Sequence, residues 1–336
     1  MAGSARLSNA CLKVQEITAY DEVEAIATYG RARAPYAGPL LARLGCNSFE
    51  EFMFEGFALE FIDVGEVRLR VRYGGSGPPL LLLHGHPQTH VMWHRVAPLL
   101  ARDFTVVAPD LRGYGDSSKP PTTADHAPYS KRAMADDQAA LMQHFGFQQF
   151  AVAGHDRGGR VAYRLALDHP ESVLKLAVMD IIPTGEAFRR TDMRFAMGYW
   201  HWFFLAQPAP LPEELIGANP DAYYFRDRTL FAEEALTDYL RVVHDPATIH
   251  AMCEDYRAGA TFDFALDEAD HGNRRIQSPL LALWARRGPL ERWYDVLSIW
   301  RDWAEDVCGR SLDCGHYLAE EAPEETAAEL LRFLSA

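Results

Sequence analysis

Hydrophobic residues along this chain fall into two recurrent patterns. The first is the short continuous apolar run ending in a turn residue. PPLLLLHGH (78–86), FTVVAPDLRGYGDS (104–117), FAVAGHD (150–156), LKLAVMDIIPT (174–184) and PLLALWA (279–285) all have this form. A run of this length with no polar alternation predicts a strand buried on both faces. The second pattern has helical spacing. SKRAMADDQAALMQHFG (130–146) and GRVAYRLALDHP (159–170) lie between the runs, and AEEAPEETAAELLRFLSA (319–336) closes the chain with an amphipathic helix. Strands alternating with helices predict an α/β fold with a mostly parallel sheet flanked by helices. Ahead of them, EFIDVGEVRLRVRYGG (60–75) alternates apolar and polar positions about Val64-Gly65, which predicts a hairpin.

Two regions break this rhythm. Residues 184–271 carry no apolar strand run, but are rich in aromatics (YWHWFF, DAYYF) and proline (AQPAPLP), which predicts a mostly helical cap inserted between two sheet strands. Residues 1–54 show only weak helical spacing, in EVEAIATYGRARAP, before Pro35 and Pro39, and are expected to be an N-terminal arm on the main domain. The expected division is therefore an extension at 1–54, a core at 55–183 and 272–336, and a cap at 184–271.

Composition narrows the function. The 336 residues are 48% hydrophobic and 24% charged, as for a globular chain, and the net charge of −14 argues against a nucleic-acid partner. Five scattered cysteines, with no CxxC, suggest a reduced protein without a disulfide framework or zinc knuckle. With no signal-like or membrane-length apolar run, a cytoplasmic protein without a membrane partner is expected. Four histidines crowd 84–94, but Gln88 and Thr89 stand where a zinc hydrolase of the HxHxDH type needs Asp and His, so no metal is expected.

The candidate chemistry lies in AGHDRGGR (153–160). Gly154-His155-Asp156-Arg157-Gly158 has the small–x–nucleophile–x–small order of a nucleophile elbow, with a carboxylate in the nucleophile position. Asp156 would otherwise serve as the N-cap of the following helix. His316, in DCGHYL, is the candidate base. Asp180, at the end of a strand run, is the candidate acid to orient it, with Glu291 and Asp295 as rivals. The order nucleophile, acid, histidine is that of the α/β-hydrolases. The HGHP turn (84–87) is expected to turn backbone N–H donors toward the site. A carboxylate is anionic without prior deprotonation and so suits displacement at saturated carbon, whereas serine suits acyl carbon. Arg157 and Arg160, beside it, are forks of the kind that grip a substrate carboxylate. A helix arginine also commonly makes a structural ion pair, an alternative that applies here to Arg160.

HGHPQTHVMWHRVAP, PDLRGYGDSSKP, GHDRGGR, HWFFLAQPAPLP, MCEDYRAGA and GHYLAEEAPEETA together resemble the fluoroacetate (haloacetate) dehalogenases of the α/β-hydrolase superfamily. The likeness runs from about residue 55 to the C-terminus. It implies an α/β-hydrolase fold, hydrolysis of a small anionic haloacid with no cofactor, and a homodimer. It assigns nucleophile, base and orienting acid to Asp156, His316 and Asp180, and carboxylate binding to Arg157 and Arg160. His201, Trp202 and Tyr256 match the halide-binding positions; from composition alone, an aromatic set like this reads as packing. His86 departs from the family's HGFP, and the cap is expected to be shorter than in close relatives. An epoxide hydrolase, with proton donors among Tyr199, Tyr223, Tyr224 and Tyr256, is the rival enzyme. A non-catalytic binding protein of the same fold is the rival outside enzymes.

Overall fold

The computed structural model describes residues 53–336. Nearly all of the expected N-terminal extension, 1–54, lies outside the described residues.

Among the described residues the sheet has eight strands: β1 (Ala58–Asp63), β2 (Arg68–Gly75), β3 (Pro79–Leu83), β4 (Thr105–Pro109), β5 (Phe150–His155), β6 (Val173–Met179), β7 (Leu280–Ala285) and β8 (Val307–Leu312). Their spatial order is β1-β2-β4-β3-β5-β6-β7-β8. The β1–β2 hairpin is antiparallel, with Asp63 opposite Arg68 and the Val64 N–H closing the turn on the Val67 carbonyl at 2.9 Å. β2 runs antiparallel to β4, and every pairing from β4 through β8 is parallel. The expected fold class, a mostly parallel α/β sheet with helices, is the fold observed.

Burial explains the runs. Leu80 to Leu83 are fully buried, as is all of β5, because helices cover both faces of the central strands. Burying one such leucine contributes about 1.5–3 kcal/mol. β8 (VCGRSL) is not anticipated by the sequence pattern. It is an edge strand whose burial alternates, so its composition carries little apolar signal.

Between β6 and β7 the described chain is helical and contains no strand, from Thr184–Arg189 to Phe264–Asp270. The long helix Pro246–Ala258 continues into a π-helical turn, Gly259–Asp263. Among the described residues, no helix is long and apolar enough to cross a membrane.

Candidate active site

Asp156, Asp180 and His316 reach one cavity from the carboxyl ends of strands, where open α/β sheets place their ligands. Asp156 follows β5, Asp180 follows β6, and His316 lies four residues beyond β8. Asp156 has φ 48° and ψ −117°, a conformation strained for a residue with a Cβ. The turn is tight enough that a Cβ on Gly158 would lie 2.3 Å from the His84 carbonyl oxygen, so only glycine fits there. Asp156 makes no side-chain capping bond to the helix Arg157–Asp168. Its Oδ1 instead accepts the His86 backbone N–H at 2.9 Å, so the HGHP turn meets the carboxylate as expected. The N-cap alternative is thereby removed.

His316 Nδ1 lies 2.6 Å from Asp180 Oδ2, and Asp180 Oδ1 accepts the Ala285 N–H at 2.9 Å. Asp180 thus fixes the tautomer: Nδ1 donates and Nε2 is left as the basic nitrogen. That Nε2 stands 3.9 Å from Asp156 Oδ2, beyond hydrogen-bond reach. The rival acids are engaged elsewhere. Glu291 accepts the Trp284 indole N–H, and Asp295 caps the helix Val296–Trp303 through the Ser298 N–H at 3.0 Å.

The electrostatics follow from burial and neighbours. Burial alone would raise the Asp156 carboxyl, but the His316 imidazole and the Arg160 and Arg157 guanidiniums outweigh it and hold the group well below the usual carboxylate range. Burial opposes charge on His316, yet the Asp180 hydrogen bond and the charges of Asp180 and Asp156 hold its pKa above the ordinary histidine value. Burial pushes His201 down to about 4 and His86 down to about 3, so both are neutral near pH 7.

The two arginines separate. Arg160 lines the cavity; its Nη1 donates to the Ile182 carbonyl at 3.0 Å and to Thr184 Oγ1 at 3.1 Å, and Trp202 covers its guanidinium at 4.5 Å. Among the described residues it has no ion pair with a carboxylate. The structural ion pair weighed for Arg160 falls on Arg157, which binds Asp255 through Nε at 2.9 Å and Nη2 at 2.7 Å. Arg157 is 1% exposed and does not line the cavity.

His201, Trp202 and Tyr256 line the cavity with Asp156, Arg160 and His316. The indole N–H of Trp202, the Tyr256 hydroxyl and the His201 ring have no hydrogen-bond partner among the described residues. The packing role read from composition also holds, since Trp202 and Tyr256 are buried and stack on the two arginines. The cavity measures about 190 Å3. The four crowded histidines do not converge on one point: His84 Nε2 accepts the Leu111 N–H, His90 binds Asp110, and His94 binds the Val91 carbonyl. His86, the departure from the family pattern, lies against Tyr114, Tyr224 and Tyr256.

Three groups at or around this site escape sequence reasoning: Asp255 and Lys131 behind Arg157, and Arg226 on the cavity lining. Asp255 had a signal, since it stands in MCEDYRAGA beside Tyr256. Lys131, 124 residues away from it, had none.

A sequence model of the alpha/beta hydrolase fold matches residues 78–323. A fluoroacetate dehalogenase from Burkholderia sp is 50% identical over 84% of this chain and 95% of its own length. A soluble epoxide hydrolase from Corynebacterium sp. (strain C12) is 34% identical over 80% of this chain and 94% of its own. Among solved structures, a putative alpha/beta hydrolase from Nostoc sp PCC 7120 superposes with a TM-score of 0.82 at 54% identity, covering 84% of this chain and 99% of that one. A putative epoxide hydrolase from Pseudomonas aeruginosa does so at 0.79 and 44%, covering 84% and 96%. The chain is thus an α/β-hydrolase and, within that superfamily, belongs to the fluoroacetate dehalogenase family.

Proposed function

We propose that this protein hydrolyses the carbon–halide bond of short 2-haloacids, turning fluoroacetate or another haloacetate into glycolate and halide through an ester on Asp156. The observation that carries this reading is Arg160, a buried cation without a carboxylate partner among the described residues, in the same cavity as a strained aspartate and three free N–H or O–H donors. An anion with a leaving group is the ligand such a cavity complements.

In the first step, an Asp156 oxygen attacks the α-carbon in line with the carbon–halide bond. A carbon–oxygen bond forms, and the halide departs with its bonding electrons. Arg160, assisted by the charge of Arg157, offsets repulsion between the two anions. His201, Trp202 and Tyr256 donate to the leaving halide where its charge develops. Fluoride depends on them most, because it gives up the tightest hydration shell. Esterification removes the Asp156 charge that helps hold up the His316 pKa, so His316 Nε2 becomes a freer base. It takes a proton from water, and the resulting hydroxide attacks the ester carbonyl carbon. The His86 N–H, already 2.9 Å from Asp156 Oδ1, stabilises the oxyanion. Collapse releases the 2-hydroxy acid and restores the carboxylate. Every step uses the chain's own groups and water. The helical segment 184–271 acts as the cap that closes this chemistry off from solvent, and its exposed Met193, Met197, Leu211 and Leu215 give the expected homodimer an apolar surface.

Epoxide hydrolysis is the second reading. It is supported by Tyr199 and Tyr256, both on the cavity lining, as donors to an epoxide oxygen. One assay separates the two: halide release from fluoroacetate and chloroacetate, with diol formation from a simple epoxide under the same conditions. Halide release without diol is the expected result. Diol without halide overturns the proposal.

A further inference from the structure

Of the three charged residues in the MCEDYRAGA stretch that marks the family, Glu254 and Arg257 pair with each other at 2.7 Å, whereas Asp255 faces Arg157 beside the site. Its carboxylate is fully buried and is met by three groups. Arg157 donates Nε to Oδ2 at 2.9 Å and Nη2 to Oδ1 at 2.7 Å, with a further bond from Nη2 to the Asp255 carbonyl oxygen at 2.7 Å. Lys131 Nζ binds Oδ1, and the Tyr114 hydroxyl donates to Oδ2 at 2.6 Å. The neighbouring Tyr256 lays its ring 4.1 Å from the Arg157 guanidinium carbon. The π-helical turn completes the enclosure. Gly259 faces Arg157 so closely that a Cβ there would sit 3.1 Å from Nη2, and Asp263 accepts the Lys131 backbone N–H at 2.8 Å.

We propose that Asp255, backed by Lys131, is a positioning residue that clamps Arg157 on two of its three nitrogens and holds its guanidinium against Tyr256 behind the cavity wall, where its charge draws the substrate carboxylate. The inference rests on the haloacid reading above and assigns the part that Arg157 plays in it. A lone carboxylate paired one-to-one with Arg157 would cancel the charge that draws the substrate. Lys131 shares Asp255 and also stands 3.8 Å from Asp263 Oδ2, whose carboxyl burial raises above its ordinary pKa, so the charge of Asp255 is divided between two cations and does not cancel Arg157 alone. The Arg157 charge stands directly behind the site, since its guanidinium carbon lies 4.1 Å from the Tyr256 ring and 5.9 Å from the Trp202 ring, and both rings line the cavity. Arg157 and Arg160 therefore divide the work: Arg160 meets the substrate from the cavity lining, and Arg157 acts on it through charge from a fixed mount behind that lining.

The test compares Asp255→Asn, Lys131→Met and the double variant in the full-length protein. Chloroacetate turnover and thermal unfolding are followed, and acetate binding is read by calorimetry. Asp255→Asn strands the buried Arg157, leaves Lys131 only Asp263 at 3.8 Å, and is expected to lose stability, to raise KM and weaken acetate binding by about tenfold or more, and to change kcat far less. The double variant removes one charge of each sign, so its stability should recover toward the parent while KM and acetate affinity stay impaired. Recovery of KM together with stability would show that Asp255 serves folding alone and would overturn the proposal; unchanged acetate affinity in either folded variant does the same. Acetate binding needs no chemistry, so a parent enzyme that released no halide would end the dehalogenase reading and leave this test intact.

Discussion

The two walls of the cavity are built on different principles. The sheet side supplies Asp156, Asp180 and His316 from strand ends, each fixed by backbone: two by positive φ angles, and all three by short bonds to neighbouring chain. The helical side supplies His201, Trp202 and Tyr256 from helix faces, with polar atoms that have no partner among the described residues. The comparison teaches where each kind of work is done. On the proposed reading, a nucleophile and base need geometry that survives the whole cycle, and strand ends provide it. On that reading a leaving group needs donors that stay unsatisfied until charge develops, and the aromatic side chains of the helical segment would provide those.

The contrast predicts a graded response to mutation. On the sheet side, Asp156→Asn removes the anionic nucleophile and is expected to lower kcat by about 10⁴-fold or more for every halide alike, as measured by halide release. On the helical side, Tyr256→Phe deletes one donor. It should slow fluoride release by roughly 10²-fold and bromide release much less, because bromide needs less hydrogen bonding as it leaves. Equal losses for the two halides would break the division of labour. The smallest effect concerns pH. In the proposed mechanism His316 must be neutral to activate water; despite burial, Asp180 and Asp156 hold its pKa above the ordinary histidine value in the free enzyme, and in the ester the Asp156 contribution is gone, so its base form there persists to lower pH than in the free enzyme. Ester hydrolysis should therefore drop on the acidic side, by up to tenfold per pH unit, in a profile of kcat against pH. A kcat with no acid limb would place the base elsewhere.

The same division decides how much could be read from sequence. The sheet side was legible because buried parallel strands announce themselves as apolar runs, and the residues that matter sit at the ends of those runs. GHDRGG gave the turn, and DCGHYL gave the histidine. Asp180 was a candidate by its place after LKLAVM, with Glu291 and Asp295 as rivals until the resemblance favoured it, and 136 residues separate it from His316. β8 was missed because an edge strand of composition VCGRSL buries too little to show a pattern. The helical side was less legible. Its halide candidates came from resemblance alone, since aromatic clusters on helices look the same whether they pack or bind. The partner of Arg157 was harder still. Asp255 and Lys131 meet only through the fold, so the ion pair weighed for Arg160 turned out to belong to its neighbour.

The central claim is that Asp156 becomes covalently bonded to the substrate carbon. The direct measurement is intact-mass and peptide mass spectrometry of the His316→Asn variant after incubation with chloroacetate. The account predicts a carboxymethyl ester accumulating on the peptide that carries Asp156, with one equivalent of chloride released. Chloride release in that variant with repeated turnover and an unmodified Asp156 would contradict it.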